Sequence, residues 1–468
     1  MGIKKIIFQF TSTVSLLLMQ FVQLKLITSS VSVTQFGGYS ISVVFFTILM
    51  ILGDSGLGSY TVHKQKNVYH VRLLVFCFIV SLITFSIVSL MVPLWSIVFS
   101  FDDFSSVLPF VMLSLPFCAL GSVAQSVLLI NEKQGLVALV DVLAKLISVF
   151  FLYLTIESYG LLAAGISYSL YWLLRSLLLN FLVFLRLRTP LSFNIDHDFR
   201  SYSISLVCSQ LLGSFRYQAD IVVVGVFFGP HLTGIYSIAK QVVNMPAQII
   251  RPLMQRIVLP SLSKSQHCTE SLLDMIRKVN LWVTLSVSSM FTFLIFFSND
   301  ILLFIGGTDY TDANLILVVM SLTFLLRLAV GGVQSSLAQA LGKTKVELRW
   351  SLFVTPFLLV SLILGAFFLN IENFTILQLI VQGLISLLSL FLFLKKIVPE
   401  ISIYQYFSTS SIAIFFIFSV SFFSSYVADY ASSDFLIRVV LYCLAFVFSL
   451  GVVSFAISKF GVKNEIQK

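Results

Sequence analysis

Eight basic side chains interrupt the apolar stretches of this 468-residue sequence: Lys25, Lys145, Arg175, Arg216, Lys240, Arg251, Arg256 and Arg327. Only three acids share those stretches, Asp54, Asp141 and Asp220. An ionisable group at bilayer depth costs a few kcal/mol on the most lenient scale, so each is either paired or faces a polar cavity. Residues four apart share a helix face, which lets Asp141 neutralise Lys145 and Asp220 neutralise Arg216. Arg256 lies one turn from the end of its apolar stretch and can snorkel to the interface. Lys25, Arg175, Lys240, Arg251 and Arg327 have no acid close in sequence. Cations that converge unpaired in the interior of a helix bundle form a site for an anion.

Other chemistry is sparse. Asp54, in ILGDSGLGSY beside three glycines, either binds a coupling cation or packs a tight helix end. Pro246 and Pro252 fall inside one apolar stretch, where each removes a backbone hydrogen bond and can serve as a hinge. There is no phosphate-binding glycine loop, no GxSxG and no HExxH, and the five histidines all fall in loops. Four cysteines lie in apolar stretches and Cys268 in a loop, without CxxC spacing, so neither a metal site nor a disulfide framework is expected. No cofactor is expected either.

The elements that must carry these residues are membrane spans. The chain is 58% hydrophobic and 10% charged, with a mean hydropathy of +1.01, whereas soluble domains run near ~25% charged. A span needs roughly 20 apolar residues. The pattern predicts fourteen, near 8–31, 38–61, 73–99, 106–130, 136–156, 161–185, 203–228, 233–259, 278–305, 314–341, 350–369, 374–394, 409–428 and 436–458. These runs are too long for barrel strands, so the fold class is an all-α polytopic membrane protein. The start of the chain lacks a small-residue cleavage site and reads as an uncleaved first span.

The net charge of +9 resolves into topology rather than a nucleic-acid partner. On a fourteen-span count, loops carrying Lys64, Lys66, Lys133, Arg186, Lys343, Lys345, Arg349, Lys395 and Lys396 fall on one side. Asp102, Asp103, Glu157, Asp300, Asp309, Glu372 and Asp434 fall on the other, with Arg438 as the one basic exception. The positive-inside rule then places both termini in the cytoplasm. The polar segment RLRTPLSFNIDHDFR, 186–200, reads as a linker between halves. GSVAQSVLLINEKQG at 121 and GGVQSSLAQALGKTK at 331 echo each other six spans apart, as parallel repeats would. The expected organisation is an N-terminal lobe over 1–190, a C-terminal lobe over 191–400, and two further helices with a tail over 401–468.

The stretch from Tyr217 to Lys264 carries an Asp before an apolar run (Asp220), a Gly-flanked turn (Gly225, Gly229), Gly234, Tyr236, Ser237 and Ala239, then Pro246, Pro252, Pro260, Leu262 and Ser263. This resembles the polysaccharide transporter branch of the multidrug/oligosaccharidyl-lipid/polysaccharide exporter superfamily, especially the O-antigen and colanic-acid flippases. ILGDSGLGSYTVHKQ and AQSVLLINEKQG are similar to the family's second-span and fourth-span ends. Pro230 and His231 are bulkier than that turn usually carries.

The resemblance implies two six-helix lobes around a central cavity plus two terminal helices, in a bacterial inner membrane. It implies export of a polyprenyl diphosphate-linked oligosaccharide, beside membrane lipids and with a polysaccharide polymerase and chain-length regulator as partners. Drive by the membrane potential, protons or sodium is open at this stage. The cavity cations occupy no fixed motif position; Lys25, Arg175, Arg216, Lys240, Arg251 and Arg327 rest on depth alone. The rivals are a polymerase or ligase acting on the same substrate, for which no large external loop is predicted, and a cation-coupled drug exporter, which would favour acids over bases.

Overall fold

A computed structural model describes residues 3–64, 69–94, 102–131, 133–187, 191–192, 198–254, 258, 262–263, 265, 268–431, 437–440 and 442. In chain order the first helices are α1 (Ile3–Ser30), α2 (Val33–Asp54), α3 (Leu57–Lys64), α4 (Val71–Leu90), α5 (Asp102–Met112), α6 (Ser114–Ile130), α7 (Gln134–Tyr159) and α8 (Leu161–Leu182). They are followed by α9 (Asp198–Leu253), α10 (Thr269–Phe296), α11 (Ser298–Gly306), α12 (Asn314–Ala340), α13 (Thr344–Phe368), α14 (Ile371–Leu388), α15 (Lys395–Ile397) and α16 (Ile403–Ala431). The one pairing of extended segments among the described residues is a parallel two-residue bridge, Tyr69–His70 with Leu191–Ser192, between the segments entering α4 and leaving α8.

Twelve helical segments among the described residues are long and apolar enough to cross a membrane. One of them, Leu206–Ile250, covers most of both the seventh and the eighth expected spans. The fourteenth, 436–458, lies outside the described residues except for 437–440 and 442. Within α9 the helix breaks at Gly229, whose φ of 81° and ψ of 178° are open to glycine. The Tyr236 hydroxyl donates to Asp220 Oδ2 over 2.9 Å, although the two residues are sixteen apart. A straight helix would separate them by about 24 Å at 1.5 Å per residue. The chain therefore folds back at Gly229, while helical dihedrals continue through the buried Pro246.

The chain divides into two compact units. One comprises Met1–Ile238, Phe304–Ala313 and Thr355–Phe374; the other comprises Ala239–Leu303, Asn314–Val354 and Thr375–Lys468. In the first, α2 packs so closely on the α9 hairpin that a Cβ on Gly234 would lie 2.1 Å from the Val33 carbonyl oxygen. In the second, α10 packs on α12 and α16. Asn280, Thr284, Ser288 and Thr292 recur every four residues along α10, all buried. Asn280 donates to Ser410 Oγ over 2.8 Å and Thr292 Oγ1 lies 2.9 Å from Ser421 Oγ, bonds that hold helices together in lipid, where no hydrophobic force does so. Arg438, the basic exception of the charge pattern, pairs with Asp300 over 3.1 Å.

The sequence echo has a backbone counterpart. At one helix junction Lys133 N donates to Leu128 O over 2.8 Å, and Leu136 N and Val137 N donate to Lys133 O over 3.0 and 3.4 Å. At the other, Lys343 N donates to Ala338 O over 2.8 Å, and Val346 N and Glu347 N donate to Lys343 O over 3.0 and 3.4 Å. All four positions are displaced by 210 residues. Each half also passes through a π-helical turn, Val183–Leu187 after α8 and Ser389–Leu394 after α14.

Candidate functional site

In the first unit, α2, α3, α6, α8 and α9 border a cavity of about 510 Å³. Its position follows from how those helices end. α2 begins with a capping box in which Gln35 N donates to Ser32 Oγ and Ser32 N to Gln35 Oε1. It stops at Ser55, in left-handed conformation with φ 49°, and Gly56 follows at φ 71°. That stop leaves Asp54 on the last turn of α2, facing α6 through α3, where Ser126 Oγ donates to the Gly58 carbonyl over 2.9 Å. α7 and α8 are joined at Gly160, φ 52°, so residues on either side of this tight turn come face to face.

Asp141 and Arg175 are such a pair. Arg175 Nε donates to Asp141 Oδ1 over 2.7 Å, and Nη2 donates to Gln125 Oε1 of α6 over 2.9 Å. The guanidinium carbon also lies 5.4 Å from the Trp172 ring centroid. This corrects the pairing expected along the helix. Asp141 serves Arg175 rather than Lys145, whose Nζ donates to Gln23 Oε1 of α1 and lies 5.5 Å from the Tyr171 ring. The i,i+4 rule concerns exposed helix faces, whereas here the neighbouring helices α1 and α8 decide each partner. Arg175 is therefore a paired cation.

The cavity wall is mixed: Asp54, Ser122, Gln125, Ser126, Arg175 and Gln210 offer polar atoms, and Met50, Leu129 and Trp172 offer apolar surface. Asp54 Oδ1 and Trp172 Nε1 are buried and make no well-aligned hydrogen bond, although Ser122 and the backbone of Gly56 and Gly58 lie by the Asp54 carboxyl group and the Tyr168 hydroxyl by Trp172. With Arg175 balanced by Asp141 and Asp54 left over, this wall is not a cationic trap. It suits a neutral polyol whose hydroxyls both donate and accept.

The remaining cations are distributed over both units. Lys25 Nζ sits 3.6 Å from the Phe304 ring centroid, with no carboxylate within 4 Å among the described residues. Arg216 is half-buried on α9, and Asp220 on the same arm receives the Tyr236 hydroxyl. In the second unit Lys240 is 2% exposed and Arg327 lies 6.0 Å from the Phe324 ring. The Arg251 and Pro252 side chains, and all of Arg256, lie outside the described residues. Charge screening of the sequence missed Gln23, Gln125, Gln210 and Trp172, because neutral amides and indoles leave no charge signal. Gln125 had been visible only as part of the repeat.

Sequence and fold comparisons agree with this architecture. Over 199 residues the chain is 28% identical to the amylovoran biosynthesis protein AmsL of Erwinia amylovora, covering 42% of this chain and 50% of that protein. Over 197 residues it is 23% identical to the lipopolysaccharide biosynthesis protein WzxC of Escherichia coli K12, covering 41% and 39%. The matches thus span half or less of these curated relatives. In fold it is similar to the lipid II flippase MurJ in an inward closed conformation, with a TM-score of 0.67 and 15% identity over 97% of this chain and 99% of that one. It is also similar to an inward-facing MATE family transporter of the MOP superfamily, with a TM-score of 0.65 and 13% identity over 84% and 98%. A family model described as polysaccharide biosynthesis protein matches residues 30–315, more than half of the chain. The chain belongs to that polysaccharide biosynthesis protein family.

Proposed function

We propose that this protein is a flippase that carries a polyprenyl diphosphate-linked oligosaccharide from the cytoplasmic to the outer leaflet of a bacterial inner membrane, not an enzyme. The observation that carries this reading is the cavity of the first unit. A surface of amide, hydroxyl, carboxyl and indole groups, enclosed among apolar helices, suits sugar hydroxyls. Its volume of about 510 Å³ falls in the range of small-molecule sites, ~300–1,000 Å³. The family and the flippase-like fold support the same class of cargo.

In this reading the sugars contact Gln125, Arg175 and Trp172. The candidates for meeting the diphosphate are basic side chains that each unit carries by itself, Lys25 and Arg216 in the first and Lys240, Arg251 and Arg327 in the second. The polyprenyl tail stays in lipid. Outward movement of a dianion is favoured electrically by about 4.6 kcal/mol at 100 mV, from about 2.3 per charge, so the membrane potential alone could drive export. Asp54 is the residue through which a proton or sodium ion would be coupled.

The test removes the protein from its host and treats spheroplasts with a membrane-impermeant sugar oxidant. Lipid-linked single repeat units should accumulate protected from the oxidant. Single units that are oxidised would have crossed already, and the polymerase reading would replace this one.

A further inference from the structure

A second pocket, of about 230 Å³, lies in the second unit between Arg349, Trp350 and Phe353 of α13 and Leu392, Phe393 and Lys396 of the π turn and α15. We propose that it holds the phosphate headgroup of an anionic phospholipid, whose acyl chains run along the apolar faces beneath it.

The pocket is charged at one end and apolar at the other. Arg349 and Lys396 are exposed, and neither has a carboxylate within 4 Å among the described residues. The acid nearest in sequence, Glu347, is engaged by Ser335 Oγ. Trp350 stacks on Phe393 with centroids 5.9 Å apart and lies 6.0 Å from Phe353. Tryptophan flanked by basic residues is the composition of a membrane interface.

Further from that end, Leu352, Phe353 and Phe391 are each more than half exposed, an apolar surface suited to acyl chains in a spanning protein. The π turn Ser389–Leu394 shapes this wall by burying Phe393 while turning Leu392 outward. Such turns concentrate at functional sites. The far rim is fixed by Lys343 Nζ, which donates to the Ile397 carbonyl over 2.8 Å. Free phosphate would use only the charged end. Basic pockets between membrane helices recognise anionic lipid headgroups through this combination of charge and apolar wall.

The full-length protein in neutral detergent should bind phosphatidylglycerol in native mass spectrometry and discriminate against phosphatidylcholine. At the worth of two basic side chains near an anionic surface, the Arg349→Gln/Lys396→Gln variant should bind it roughly 30-fold more weakly. Lys278→Gln, which removes an exposed cation elsewhere, should bind normally. As a second readout, phosphatidylglycerol with brominated chains should quench tryptophan fluorescence of the wild type, and Trp350→Phe should lose most of that quenching. Equal binding of phosphatidylcholine or unchanged affinity in the double variant would overturn the proposal. So would equal affinity for inorganic phosphate, stronger binding of polyprenyl diphosphate, or quenching that survives Trp350→Phe.

Discussion

Removing the Asp141 carboxylate tests the corrected ion pair directly. The two side chains are 20% and 10% exposed, and the pair is closed at 2.7 Å. Asp141→Asn would strand the Arg175 guanidinium in the interior, a change that costs about 3–5 kcal/mol when nothing else compensates. Gln125 still accepts one N–H bond at 2.9 Å, so about 3 kcal/mol is expected. Arg175→Gln should cost a similar amount, whereas the double variant should lose well under their sum, with a coupling energy near 2 kcal/mol. Lys145→Gln combined with Asp141→Asn should be additive within about 0.5 kcal/mol, because Lys145 is held by Gln23. The measurement is equilibrium unfolding in mixed micelles across the two cycles. Strong coupling of Asp141 to Lys145, with none to Arg175, would refute the structural assignment and restore the helix-face pairing.

Three further outcomes follow from named contacts. Gly37→Ala and Gly234→Ala should each destabilise by more than about 3 kcal/mol and deplete folded protein in the membrane, because the added Cβ would lie 2.3 Å from Pro230 O or 2.1 Å from Val33 O. Gly332→Ala, with no atom within 4 Å, is the tolerated control in the same melting assay. Tyr236→Phe should cost about 1 kcal/mol in mixed-micelle unfolding by removing the 2.9 Å bond to Asp220, within the range of interhelical bonds in bilayers. Lys25→Gln combined with Arg251→Gln should abolish export in the spheroplast assay at normal abundance, and unchanged export would remove these two residues from the candidates for meeting the proposed diphosphate.

The spans were legible because length and apolarity are written in the chain itself. Even the fold of α9 was visible, since two span lengths flank Gly229. The partners of the ionisable residues were not. Asp141 and Lys145 satisfy a local spacing rule, but Arg175 is 34 positions away and meets Asp141 only because the tight turn at Gly160 sets α7 against α8. Asp54 could be placed at a helix end from its glycines. Its position beside Trp172 and Gln125 depends on the packing of α2 and α6, about which sequence spacing is silent. The π turns were also invisible, because no residue type distinguishes them from ordinary helix.

The matched junctions at Lys133 and Lys343 have an evolutionary consequence. A common offset of 210 residues, kept by three backbone hydrogen bonds at each junction, is the pattern that an internal duplication would leave. Carried along the chain, that offset sets Asp141 against Ser351, Arg175 against Ile385 and Gln125 against Ser335. The ion pair of the first copy thus has no charged counterpart in the second. Matched backbone turns at these junctions therefore carry flanking helices of different chemistry, one with a buried ion pair and the other with neutral residues at the same offset.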